Sequence, residues 1–153
     1  MGVITLLCGL LVIASTFLAW TTGSPVVGAN SSSGWNIMRA STSAALQEGG
    51  GGGFNLALTG EGTIFFTGFW SMLLGALILL GGVTILFRRR AGGVLTLLFG
   101  VGASMLAAVN VAMVFTKMSS PYASIYPGPG LWVFLAFSLL ALALGITGLA
   151  RPG

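Results

Sequence analysis

Four apolar stretches, residues 2–20, 64–86, 94–115 and 131–150, run without an Asp, Glu, Lys or Arg, and the basic cluster Arg88-Arg89-Arg90 falls between the second and the third. A bilayer core about 30 Å thick is crossed by a helix of roughly 20 mostly apolar residues, and backbone groups left unpaired there cost several kcal/mol each. The pattern therefore predicts an all-α integral membrane protein, one domain over residues 1–153, with four transmembrane helices arranged as two hairpins. Composition agrees: 56% of residues are hydrophobic and 5% charged, against roughly 25% charged in soluble domains, and mean hydropathy is +1.03.

The first stretch reads as a retained helix rather than a signal peptide. No Lys or Arg precedes it, and no small-x-small cleavage site stands ahead of Thr21. Leu6-Leu7-Cys8 is also a poor lipoprotein signal, because a basic leader and a longer apolar run are missing in front of it.

Charge sets the expected orientation, since basic residues close to membrane ends stay on the cytoplasmic side. In a four-pass arrangement Arg88, Arg89, Arg90 and Arg151 share one side, whereas Arg39, Lys117, Glu48 and Glu61 share the other and sum to zero. The net charge of +4 thus belongs to the cytoplasmic face, with both termini there and the inner turn at 87–93. This places the protein in the plasma membrane as a multi-pass chain. The same arginines are positioned to touch anionic lipid head groups. One short cluster without interleaved aromatics predicts no nucleic-acid partner.

The outer side is expected to carry a long loop, 21–63, and a shorter one, 116–130. Gly60-Glu61-Gly62 leads into the second helix with Phe69-Trp70, and Gly128-Pro129-Gly130 leads into the fourth with Leu131-Trp132. Indole rings favour the head-group boundary, so Trp20, Trp70 and Trp132 are expected to form an outer aromatic belt. Two readings of the long loop stand open. Asn30-Ser31-Ser32-Ser33-Gly34 and the glycines at 49–53 suit a linker. Alternatively those segments are turns, and Val26-Val27 and the alternating stretch 54–58 are short strands on the membrane surface.

Helix association in lipid relies on close backbone approach through small residues. Gly92, Thr96, Gly100, Ser104, Ala108 and Ala112 recur every four residues along the third helix. Two uses compete: packing within the bundle, or a docking groove for a helix of another membrane protein. Asn110 is the one strongly polar side chain inside a predicted span and is expected to face the bundle.

Reactive groups are scarce. The chain has no His, no Asp, two Glu and one Cys, so no internal disulfide, no imidazole or cysteine metal site and no cofactor site is expected. No ionisable residue lies within a predicted span, which argues against a proton relay or ion-coupled transport by this chain alone. Glu48 and Glu61 flank the glycine-rich loop and make weak candidates for acid–base chemistry.

Phe17-Leu18-Ala19-Trp20-Thr21-Thr22, the inner Arg88-Arg89-Arg90, and Gly128-Pro129-Gly130-Leu131-Trp132 opening a Leu/Ala/Gly helix that ends at Arg151 resemble the small four-helix membrane proteins abundant in actinobacteria. Some of these are labelled tryptophan-biosynthesis-operon-associated membrane proteins. The resemblance implies topology and an envelope address, and no activity or catalytic residue. The long Ser/Gly outer loop, poor in acidic residues, departs from that pattern. The expected function is a non-catalytic accessory or scaffolding subunit of a larger membrane complex, with other membrane subunits and lipid as partners. The alternative is a channel or carrier component in which an oligomer lines a path with Asn110, Ser104 and Thr96.

Overall fold

Residues 1–23, 31–39, 43, 68–118 and 125–150 are described in the computed structural model of the protein. They form α1 (Gly2–Ser15), β1 (Ala19–Gly23), β2 (Ser31–Ser33), α2 (Gly68–Phe87), α3 (Arg89–Met118), β3 (Ile125–Pro127) and α4 (Pro129–Ala150), with one further helical segment at 34–39. The protein is mostly helical. Gly68–Phe87, Arg89–Thr116 and Pro129–Ala150 are long and apolar enough to cross a membrane, with mean hydropathy between 2.0 and 2.3.

The first apolar stretch departs from expectation. Its helix ends at Ser15, making α1 only 14 residues long, or about 21 Å at 1.5 Å per residue, short of a full bilayer core. Thr16, Phe17 and Leu18 donate their N–H groups to Ile13, Ala14 and Ser15, three residues back. That tighter pattern closes the helix, and from Ala19 the chain is strand. Trp and Thr suit this change, since aromatic and β-branched residues fit a pleated surface.

The other bounds shift less. Residues 64–67 of the second expected span lie outside the described residues, and α2 runs on through Phe87. The expected turn at 87–93 contracts to Arg88, because α3 begins at Arg89. Arginine is a good helix former, and helix need not stop where hydropathy does. At the other end, α4 starts at Pro129, whose fixed torsion and missing N–H suit the first helical position.

Neighbouring helices touch in sequence order, and α4 closes back on α1. A methyl group at Gly9 would stand 2.8 Å from the Gly75 carbonyl, and one at Gly100 2.9 Å from the Leu142 amide. Such approaches define the seams. The buried positions of α2 include Gly68, Ser71, Gly75, Ile78, Gly82 and Ile85; those of α4 include Leu131, Phe134, Ser138, Ala141, Gly145 and Gly148. Apart from the adjacent buried Gly81 and Gly130, both series step alternately by three and four, the spacing of a coiled-coil seam, with small side chains at most positions where soluble bundles place leucine.

The polarity of the bundle is correspondingly reversed. Thr5, Thr16, Ser71, Thr96, Asn110 and Ser138 are wholly buried, while Leu7, Leu80, Leu98 and Ile146 are exposed. Exposed large apolar side chains occur on all four helices, far more than isolated surface leucines would explain in water.

Three antiparallel strands in the order β2-β1-β3 cap one end. The expected strands at Val26-Val27 and 54–58 lie outside the described residues. β1, in the middle, pairs Thr22 with Ser31 on one side and Tyr126 on the other, tying the α1–α2 and α3–α4 connections together. Ala19 faces Ser33 and Thr21 faces Ser32, which leaves Trp20 as an extra residue in β1. A bulge of this kind re-aims a side chain, and here it turns the indole into the bundle.

Candidate functional site at the two ends of the bundle

The capped end is organised around Trp20, which is wholly buried. Its indole N–H donates to the Ser15 carbonyl at 2.8 Å, and its ring stacks on Phe134 with centroids 5.8 Å apart. Methyl groups placed at Gly34 and Gly130 would each approach the indole to 2.8 Å. The backbone closes around the same ring: Gly128 donates to the Trp20 carbonyl at 2.7 Å and Trp35 to the Thr16 carbonyl at 3.0 Å. Ser33 accepts from the Asn36 amide at 3.2 Å, an N-cap arrangement that starts the helical segment at 34–39. Beneath the ring, the Thr16 and Ser71 hydroxyls share a hydrogen bond of 2.7 Å between α1 and α2.

Trp20 is therefore not a half-wet ring at the lipid boundary, as its place at the end of an apolar run suggested. The two other expected belt residues differ from it. Trp132 is 46% exposed and meets Phe115 edge-on at 6.3 Å. Trp70 is half-buried beside Phe69 at 5.9 Å. A third pair, Phe17 with Trp35 at 5.6 Å, stands at the same end. In the sequence Trp35 is one of several apolar residues punctuating the long loop, and its signal is an isolated indole directly after glycine in a serine-rich run.

Along α3 the four-residue stripe does not stay on one face. Each step advances about 40° around a helix of 3.6 residues per turn, so its two ends differ by about 200°. Gly92 packs on Ile85 of α2, and a methyl group at Gly81 would reach Thr96. Gly100 instead faces Ala141 and Leu142 of α4, Ser104 is buried, and Ala108 and Ala112 are exposed. Asn110 is buried and donates to the Leu106 carbonyl at 3.1 Å.

Most buried hydroxyls among the described residues are tied to their own helices. Ser15, Ser104 and Ser138 donate to carbonyls three or four residues earlier in their own helices. Thr96 Oγ1 is buried without a hydrogen-bond partner. No cluster of potential metal ligands occurs among the described residues, and Glu48 and Glu61 lie outside them.

At the opposite end Arg88, Arg89 and Arg90 are exposed; Arg151 lies outside the described residues. The start of α1, the end of α2, the start of α3 and the end of α4 converge here on a cleft of about 220 Å³, lined by Met1, Gly2, Ile85, Leu86, Arg89 and Gly148. The antiparallel order of the helices thus puts four aromatic pairs at one end and three consecutive arginines at the other. No family model, curated protein or solved structure matches the chain.

Proposed function

We propose that the protein is a four-pass, non-catalytic subunit of a larger membrane complex in the cell envelope. In this reading Arg88, Arg89, Arg90 and Arg151 lie on the cytoplasmic side with both termini, and the strand cap lies outside. The short α1 completes its crossing with the tight turn at 16–18 and the first residues of β1. The resemblance to small four-helix actinobacterial membrane proteins fits this address and adds no activity.

The observation that carries the docking role is the division of the stripe on α3. Its inner part is used within the bundle, whereas Ala108 and Ala112 stay exposed four residues apart, beside the exposed Met105 and Val109. A small-xxx-small pair on a helix surface permits the close backbone approach by which membrane helices associate. A homo-oligomeric channel would need a polar outward face to line its path. Between its polar ends, over residues 91–115, the exposed side chains of α3 are instead apolar, with Val94, Leu98, Val101, Met105 and Val109 among them, and this favours a partner helix over water.

The test is extraction of a tagged chain from its native membrane in mild detergent, followed by native-size estimation and mass spectrometry. Stoichiometric recovery with other membrane proteins is expected. Recovery as a lone monomer or homo-oligomer would contradict the subunit reading, and flux measurements in liposomes would then examine the channel alternative.

A further inference from the structure

Three exposed guanidinium groups stand in succession, and no described residue supplies them a carboxylate. The chain's two carboxylate side chains, Glu48 and Glu61, belong to the connection between β2 and α2. Both lie outside the described residues. Among the described residues Arg88, Arg89 and Arg90 make no ion pair or side-chain hydrogen bond. Arg89 lines a cleft together with Met1, the apolar Ile85 and Leu86, and the glycines Gly2 and Gly148.

We propose that this cleft binds the head group of an anionic phospholipid, with Arg89 holding the phosphodiester and Arg88 and Arg90 supplying further positive charge. The inference rests on the membrane placement above, which puts this end at the bilayer surface. Guanidinium matches phosphate oxygens in a planar two-point fork, and basic clefts between helices on the cytoplasmic side suit such head groups. The volume of about 220 Å³ is smaller than the roughly 300–1,000 Å³ of pockets that enclose a drug-sized ligand. It therefore admits a head group while leaving the acyl chains outside. Exposed apolar side chains next to the lining residues are placed to meet those chains: Val3, Phe87, which is 83% exposed, and Leu149.

Native mass spectrometry of the purified full chain, offered equal amounts of phosphatidylglycerol and phosphatidylcholine with identical acyl chains, tests the assignment. Wild type should retain phosphatidylglycerol selectively. Arg89→Gln should weaken that adduct about tenfold, the loss of a charge-assisted contact, whereas Arg90→Gln, which removes the same charge without lining the cleft, should weaken it about fivefold or less. Leu86→Trp keeps every charge but fills the cleft, and should also remove the preference. Should that variant fail to fold, the two arginine variants still decide. Equal losses for Arg89→Gln and Arg90→Gln, or no preference in wild type, would overturn the site. Displacement of the lipid by millimolar inorganic phosphate would overturn the lipid as occupant in favour of a free anion. A chain that enters membranes and joins its complex without lipid selectivity would sink this inference alone.

Discussion

Trp20→Ala tests whether the indole is the keystone of the capped end. The ring is wholly buried, and truncating a buried Trp costs about 3–5 kcal/mol through lost contacts and the cavity left behind. The indole N–H bond to Ser15 disappears as well, leaving a buried carbonyl without that donor and adding about 1 kcal/mol. Where hydrocarbon already surrounds a group the transfer part of this penalty shrinks, so the lower end, about 3–4 kcal/mol, is the expectation. At about 2–4 °C per kcal/mol for a chain of this size, Tm should fall by roughly 10 °C. The protein carries its own probe, because its single cysteine, Cys8, is buried in the bundle. A thiol-reactive coumarin dye added in detergent should stay dark until heating exposes it. Trp132→Ala is the matched control: an exposed ring with one edge-on partner contributes about 1 kcal/mol. A Trp20→Ala midpoint within about 3 °C of wild type, or an equal drop in Trp132→Ala, would refute the reasoning.

Other substitutions probe separate parts of the bundle. Thr96→Val should be neutral or raise stability by about 1 kcal/mol in the same dye assay, since Thr96 Oγ1 is buried without a partner. Thr16→Val should instead lower it by about 0.6–1.7 kcal/mol by breaking the bond to Ser71; a reversed order of these two variants would contradict the assignment. Gly100→Leu forces a branched side chain against the Leu142 backbone and should cost more than about 2 kcal/mol; normal assembly of that variant would show the α3–α4 seam to be loose. Replacing Arg88, Arg89 and Arg90 together with Gln should scramble orientation, read by the accessibility of tags at both ends, and unchanged accessibility would place the topology signal elsewhere.

Long-range hydropathy made the three long apolar helices legible, because exposed Leu and Val leave a dense signal whatever the helix packs against. The fate of residues 16–20 was not legible. Phe17, Leu18, Ala19 and Trp20 are as apolar in a strand as in a helix, and their partners lie far away: Trp35, Phe134 and the Gly128 amide. The length of α3 was hidden for the opposite reason, since Arg89 and Arg90 lower hydropathy while remaining helical. The small-residue stripe was visible in spacing, but its use was not, because a four-residue step rotates off the seam and only the neighbours decide where it leaves. The cleft beside Arg89 is made by four helix ends distant in sequence, and no local pattern announces it.

The most direct test of a docking subunit is photo-crosslinking in native membranes from exposed residues on two different helices. A crosslinking amino acid at Ala112 on α3 should yield one discrete, saturable adduct with another membrane protein, while the same probe at the exposed Ile146 of α4 should yield none. Adducts of equal strength from both positions, or none from Ala112, would contradict docking through the outer half of α3.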